Sequence, residues 1–148
     1  MGILAVTLVL LLTSWGFTGH KTIGLIAANH LTPAAKASVQ ALLGDRSLAE
    51  VASWADEVRG DDPAYKETAP WHFINMPLGL TFEQFSDAVG KSEKANVYTA
   101  LLQQEAILKN PASSRNEKIV ALKFIIHFVG DIHQPMHVLR TREVILFR

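Results

Sequence analysis

His127 and Asp131 stand four residues apart, so on a helix both side chains leave one face a turn apart and can share a cation. The residues between and before them, Ile125, Ile126, Phe128, Val129 and Gly130, are apolar. An aspartate in such company is costly to bury unless a cation or hydrogen bonds compensate it. A histidine–carboxylate hydrogen bond at a helix end would satisfy the same pair without a metal, so these two residues alone decide nothing. His133 and His137 follow, placing four potential ligands within eleven residues. Elsewhere, Asp56 comes two residues after Trp54, His72 lies among prolines, and His20 lies five residues after Trp15. Singly, each is what a solvated helix end or a surface loop ordinarily carries. The chain has no cysteine, so any metal must be held by nitrogen and oxygen.

The elements that would position these residues are mostly helices with legible starts. Thr32 with Pro33 opens a helix that runs to Leu43, and Gly44 stops it. Ser47 and Glu50 form a capping-box pattern for a helix through Trp54 to about Arg59, and Thr81 with Gln84 repeats it before Phe82, Phe85 and Val89. Ser92 precedes a predicted helix from about Ala95 to Leu108. Ser114 with Glu117 opens the most apolar helix, through Val129, which must be central because it is apolar nearly all round. Between Gly60 and Leu80 the period is lost and Pro63, Pro70 and Pro77 accumulate, which predicts a long ordered loop with Trp71 to Met76 extended. Alternating strand patterns are nearly absent, and the fold class expected is an all-α, multi-helix single domain.

The totals agree. At 148 residues, 49% hydrophobic and 19% charged, the chain can bury a core and is not of disordered composition. Fourteen basic residues balance fourteen acidic ones, so no bulk positive field points to a nucleic-acid partner, although bound cations would not show in that count. Ile3 to Thr13 is an apolar run too short to span a bilayer, which needs about 20 residues. It is read as the core of a signal peptide over 1–14, giving a secreted or periplasmic protein with no stable membrane insertion after cleavage. An N-terminal buried helix or strand is the alternative.

Four separated segments, Trp15-Gly-Phe-Thr-Gly-His20, Trp54-Ala-Asp56-Glu-Val-Arg59, Trp71-His72-Phe73-Ile-Asn75 and the run from His127 to His137, closely resemble the S-one/P-one nuclease family of zinc-dependent, single-strand-specific enzymes, over 15–138. The resemblance implies the phospholipase C / single-strand nuclease type of helical fold. It also implies hydrolysis of single-stranded RNA and DNA to 5′-nucleotides, with 3′-nucleotidase activity, by a metal-activated hydroxide. By the same carry-over, Trp15, through its free amine and carbonyl oxygen, and His20 hold one Zn2+ with Asp131. Asp56, His72 and His127 hold a second, with Asp131 bridging. Arg59 stabilises phosphoryl charge, so the catalytic set is Arg59, Asp56 and Asp131. Phe73 offers a stacking face and Asn75 falls where relatives read the base edge. His137 belongs to a third zinc site. His133 is expected to be structural or to support a ligand, and His30 to be a satisfied helix histidine.

The third site also needs a histidine and an aspartate from further along, which this sequence lacks. The tail over 139–148 is atypical of the family, and the expectation is an N-terminal part of the nuclease domain, acting as a monomer. With its usual partners missing, the central helix would then present an exposed apolar patch. Two other functions stay open: a zinc-dependent phospholipase C, and a non-catalytic truncated remnant.

Overall fold

The computed structural model describes residues 16–140. The expected signal peptide, Trp15 and most of the atypical tail fall outside the described residues. Helix α1 (Phe17–His30) is followed by α2 (Pro33–Leu43), whose Thr32 hydroxyl accepts the Ala35 N–H and which ends at Gly44 with φ 66°. That left-handed conformation suits glycine. Three sequence-predicted capping boxes are present, at Ser47/Glu50 for α3 (Leu48–Val51), Thr81/Gln84 for α5 (Phe82–Gly90) and Ser114/Glu117 for α7 (Arg115–Ile132). Each box satisfies N–H groups that a first helical turn leaves without partners.

Three elements differ from expectation. The helix predicted to run unbroken from Ser47 to Arg59 is divided by a turn at Ala52 and Ser53 into α3 and α4 (Trp54–Asp61). The turn frees the Ala52 carbonyl, which bonds to a side chain of α7 instead. Residues 63–72, expected as loop, form a 3-10 helix (Pro63–His72). Asp62 caps it by accepting the Ala64 N–H, and Thr68 donates back to the Tyr65 carbonyl, bonds that composition alone did not reveal. Thus Trp71 and His72 are helical, Phe73 is extended, and Asn75 turns through a left-handed φ of 52° before the strand at Met76. Helix α6 (Val97–Lys109) starts later than Ala95 because Asn96 outcompetes Ser92 as cap. Its carboxamide oxygen accepts from the N–H groups of Tyr98 and Thr99, while its Nδ2 donates to Ser92.

Helix α7 is central, packed along α6 and touched by α1, α2, α3, α4 and the 3-10 helix. Its Phe124 and Phe128 join Ala55, Val97 and Ala100 in one core cluster, and its Leu122 joins Leu43, Leu48 and Val51 in another. The Phe124 ring meets Trp54 at 5.3 Å and Trp71 at 5.6 Å edge-on, and stacks on Phe128 at 5.3 Å. These aromatic contacts tie α4 and the 3-10 helix to α7. The exposed patch expected on α7 is smaller than foreseen, since Ile125, Ile126 and Val129 are half-buried and only Ile132 among its large apolar residues is exposed. After α7, the short α8 (Pro135–Val138) leads into β2 (Leu139–Arg140). This pairs in parallel with β1 (Met76–Pro77), Met76 opposite Leu139. No helix among the described residues is long and apolar enough to cross a membrane.

Because Phe124 is fully enclosed where three elements meet, Phe124→Ala is expected to cost about 3–5 kcal/mol. A urea denaturation curve would show a lower midpoint at unchanged slope.

Candidate metal centre

Four segments converge at the C-terminal end of α7. His20 comes from the first turn of α1, Asp56 from the first turn of α4, His72 from the end of the 3-10 helix, and His127 with Asp131 from α7. His20, His72, His127 and Asp131 are all buried, whereas the Asp56 side chain is 35% exposed and forms the open rim.

Asp131 occupies the centre. Its Oδ1 lies 3.4 Å from His20 Nε2, and its Oδ2 lies 3.1 Å from His72 Nδ1 and 3.2 Å from His127 Nε2. Opposite stands Asp56, with Oδ1 3.6 Å from His72 Nδ1 and 3.8 Å from His127 Nε2, and Oδ2 4.0 Å from His20 Nε2. Among the described residues, two groups have ligand-capable atoms mutually within 4.8 Å: His20, His127 and Asp131, and Asp56, His72 and His127. His127 therefore belongs geometrically to both groups, while the two carboxylate oxygens of Asp131 face different imidazoles, the disposition a bridging carboxylate needs.

The donor set fits divalent cations that accept nitrogen and oxygen. His127 Nδ1 donates to the Ala52 carbonyl at 2.7 Å, which turns Nε2 inward, where it can give up its proton in favour of a cation. That Nε2 lies 3.0 Å from His72 Nδ1, a close approach of two basic atoms that a shared cation would stabilise. Burial and the neighbouring His127 push the pKa of His20 down to about 4, so its imidazole is neutral and available as a ligand near neutral pH. Burial alone would raise the Asp131 carboxyl, but hydrogen bonds from His127 and His72 bring it down to about 2. For His127, burial opposes the charged form, yet the Asp131 carboxylate outweighs it and raises the pKa.

His72, the last residue of the 3-10 helix, is fastened on two sides. The His72 carbonyl accepts from His137 Nδ1 at 2.9 Å, the Ile74 N–H donates to the His137 carbonyl at 2.8 Å, and the Val97 N–H donates to the Phe73 carbonyl at 3.1 Å. Beneath it, Phe128 meets the His72 ring edge-on at 5.7 Å.

The remaining sequence candidates divide. Arg59 Nη2 sits 3.0 Å from Asp56 Oδ1, so the arginine lies at the rim and also forms the helix salt bridge. Phe73 is 39% exposed beside His72, and Asn75 is exposed with φ 52°. His137 belongs to neither close group, its Nδ1 being 4.0 Å from Asp131 Oδ1. His133 bonds the Val129 carbonyl at 2.6 Å and is exposed, consistent with a structural role. His30 is a helix histidine, exposed at the last position of α1, where solvent can satisfy it. Sequence reasoning missed the Ala52 carbonyl and Gly130. A glycine inside an apolar helix was the available signal for the latter.

Comparison with known proteins agrees with this geometry. The family model described as S1/P1 Nuclease matches residues 15–143. Nuclease S1 of Aspergillus oryzae is 38% identical over 133 residues, covering 83% of this chain and 44% of that protein. Nuclease P1 of Penicillium citrinum is 34% identical over 130 residues, covering 83% and 47%, and Endonuclease 2 of Arabidopsis thaliana is 34% identical over 134 residues, covering 84% and 45%. The chain thus spans less than half the length of these curated relatives. With the family model matching most of its residues, the chain belongs to the S1/P1 nuclease family.

Proposed function

We propose that this chain carries the two-metal part of a zinc-dependent phosphodiesterase that hydrolyses single-stranded RNA and DNA to 5′-nucleotides and also acts as a 3′-nucleotidase. The observation that carries it is the buried Asp131 carboxylate, with its two oxygens directed at separate imidazoles. Bound zinc would supply Lewis acidity and bring the pKa of water to about 7. His20 with Asp131 would hold one ion, completed by the amine and carbonyl of Trp15 once the chain begins there. Asp56, His72 and His127 would hold the other, with Asp131 shared. His137 would contribute to a third site. The protein is an exported monomer, secreted or periplasmic, its apolar N-terminal run being a signal peptide.

The chain's own residues provide the remaining steps. Arg59, a planar and permanently charged fork at the rim, orients the phosphodiester and offsets charge that develops on its oxygens. The exposed Phe73 ring receives an unpaired base, a contact worth about 1–3 kcal/mol. A paired base has no free face for it, which accounts for selection of single strands. Asn75 stands two residues beyond, where it can contact the base edge.

His127→Ala or Asp131→Ala should reduce cleavage of a single-stranded oligonucleotide to the chelated background, at least about 100-fold. Unchanged turnover in either variant refutes the site, and phosphocholine released from a lipid substrate in place of nucleotide refutes the substrate class. Protons compete with metal at His127, whose pKa is raised. Zinc affinity should therefore climb as pH rises, and go on climbing above the ordinary imidazole range until that imidazole is neutral. Competition titration with a coloured chelator measures this, and a flat profile excludes His127 as ligand. Protein beginning at Trp15 should turn over faster than protein beginning at Met1, because an α-amine can lose its proton near pKa ~7.7–8.0 and a peptide nitrogen cannot. Equal rates remove the amine from the site.

A further inference from the structure

The imidazoles around Asp131 are held by different means. His127 is fixed by the Ala52 carbonyl and His137 by the His72 carbonyl. His20 has no such bond, for its Nδ1 is buried without a hydrogen-bond partner. Its ring is set by the 3.4 Å approach of Nε2 to Asp131 Oδ1 and, on the Nδ1 side, by packing alone. One face stacks on His127, with centroids 3.9 Å apart and 17° between planes, and the Nδ1 edge rests on the α-carbon of Gly130. A β-carbon at position 130 would lie 2.9 Å from His20 Cε1 and 3.4 Å from Cγ, and closer still to Nδ1. Real β-carbons do not approach so near, so a side chain at 130 would have to displace the ring.

Nothing in the backbone at position 130 demands glycine. The residue is interior to α7 and its φ is not in the left-handed region, and a glycine within a helix is less stable than alanine. We infer that Gly130 is a positioning residue: the side chain it lacks is the space that lets α1 deliver His20 to Asp131. The Asp56, His72 and His127 group does not use that space. Gly24 supports the same approach one turn along α1, where a β-carbon would meet the Ala49 backbone at 2.9 Å. This inference rests on the two-metal function proposed above.

The test uses the whole chain from Trp15 onward, the form in which the proposed His20 site is complete. Zinc bound at equilibrium should fall from about two ions per chain to about one in Gly130→Ala, with the surviving ion's affinity unchanged and the other weakened about 10–100-fold or more. The metal-free proteins give a second measurement. Gly130→Ala should melt below the unmodified chain despite its better helix propensity, and the double variant His20→Ala/Gly130→Ala should melt above Gly130→Ala, because removing the imidazole makes room for the methyl group. A merely structural glycine would show no such recovery. Retention of both ions at full affinity, or a double variant melting no higher than Gly130→Ala, overturns the inference. If the unmodified chain binds no zinc, the proposed function fails on its own account, and the melting comparison decides the role of Gly130.

Discussion

Burying the Asp131 carboxylate is the constraint around which the rest is arranged. An isolated carboxylate removed from water would take up a proton rather than stay charged. Here it remains ionised because imidazoles from α1, the 3-10 helix and α7 itself surround it. Only one of those partners lies on its own helix, so the carboxylate cannot be stabilised until distant parts of the chain have docked. The aromatic contacts of Phe124 and Phe128 supply that docking for α4 and the 3-10 helix, while close packing at Gly24 and Gly130 supplies it for α1.

The arrangement separates two demands. Ligand atoms have to be held where a cation needs them, and substrate has to reach them. Buried His20, His72 and His127 meet the first demand; half-exposed Asp56, Arg59 and Phe73 line the rim and meet the second. The ion pair of Arg59 with Asp56 joins the two sets, since the arginine at the open rim also steadies a candidate ligand.

Much of this was legible in the sequence wherever it depended on local rules. Capping boxes at Ser47, Thr81 and Ser114, the proline start at Pro33 and the glycine stop at Gly44 fixed helix positions, because caps act within four residues. His127 and Asp131 share a face by helical geometry alone. What stayed hidden depended on contacts far apart in the chain. The break at Ala52 follows from a carbonyl committed to His127 across 75 residues, and a capped continuous helix was the reasonable local expectation. The 3-10 helix before His72 was masked by prolines, which punctuate loops and also begin helices. His137 was placed in the right neighbourhood by its motif, but its bond to the His72 carbonyl could only emerge once β1 and β2 paired.

The hydrogen bonds that draw His72 to His127 and His127 to Ala52 close loops of 55 and 75 residues. Contacts of such long range form late in folding, after local helices have appeared. During synthesis, a ribosome-bound chain lacking α7 has neither of the groups that every other ligand faces. Any ability to hold a cation there would therefore arrive abruptly, when α7 has been made and has docked.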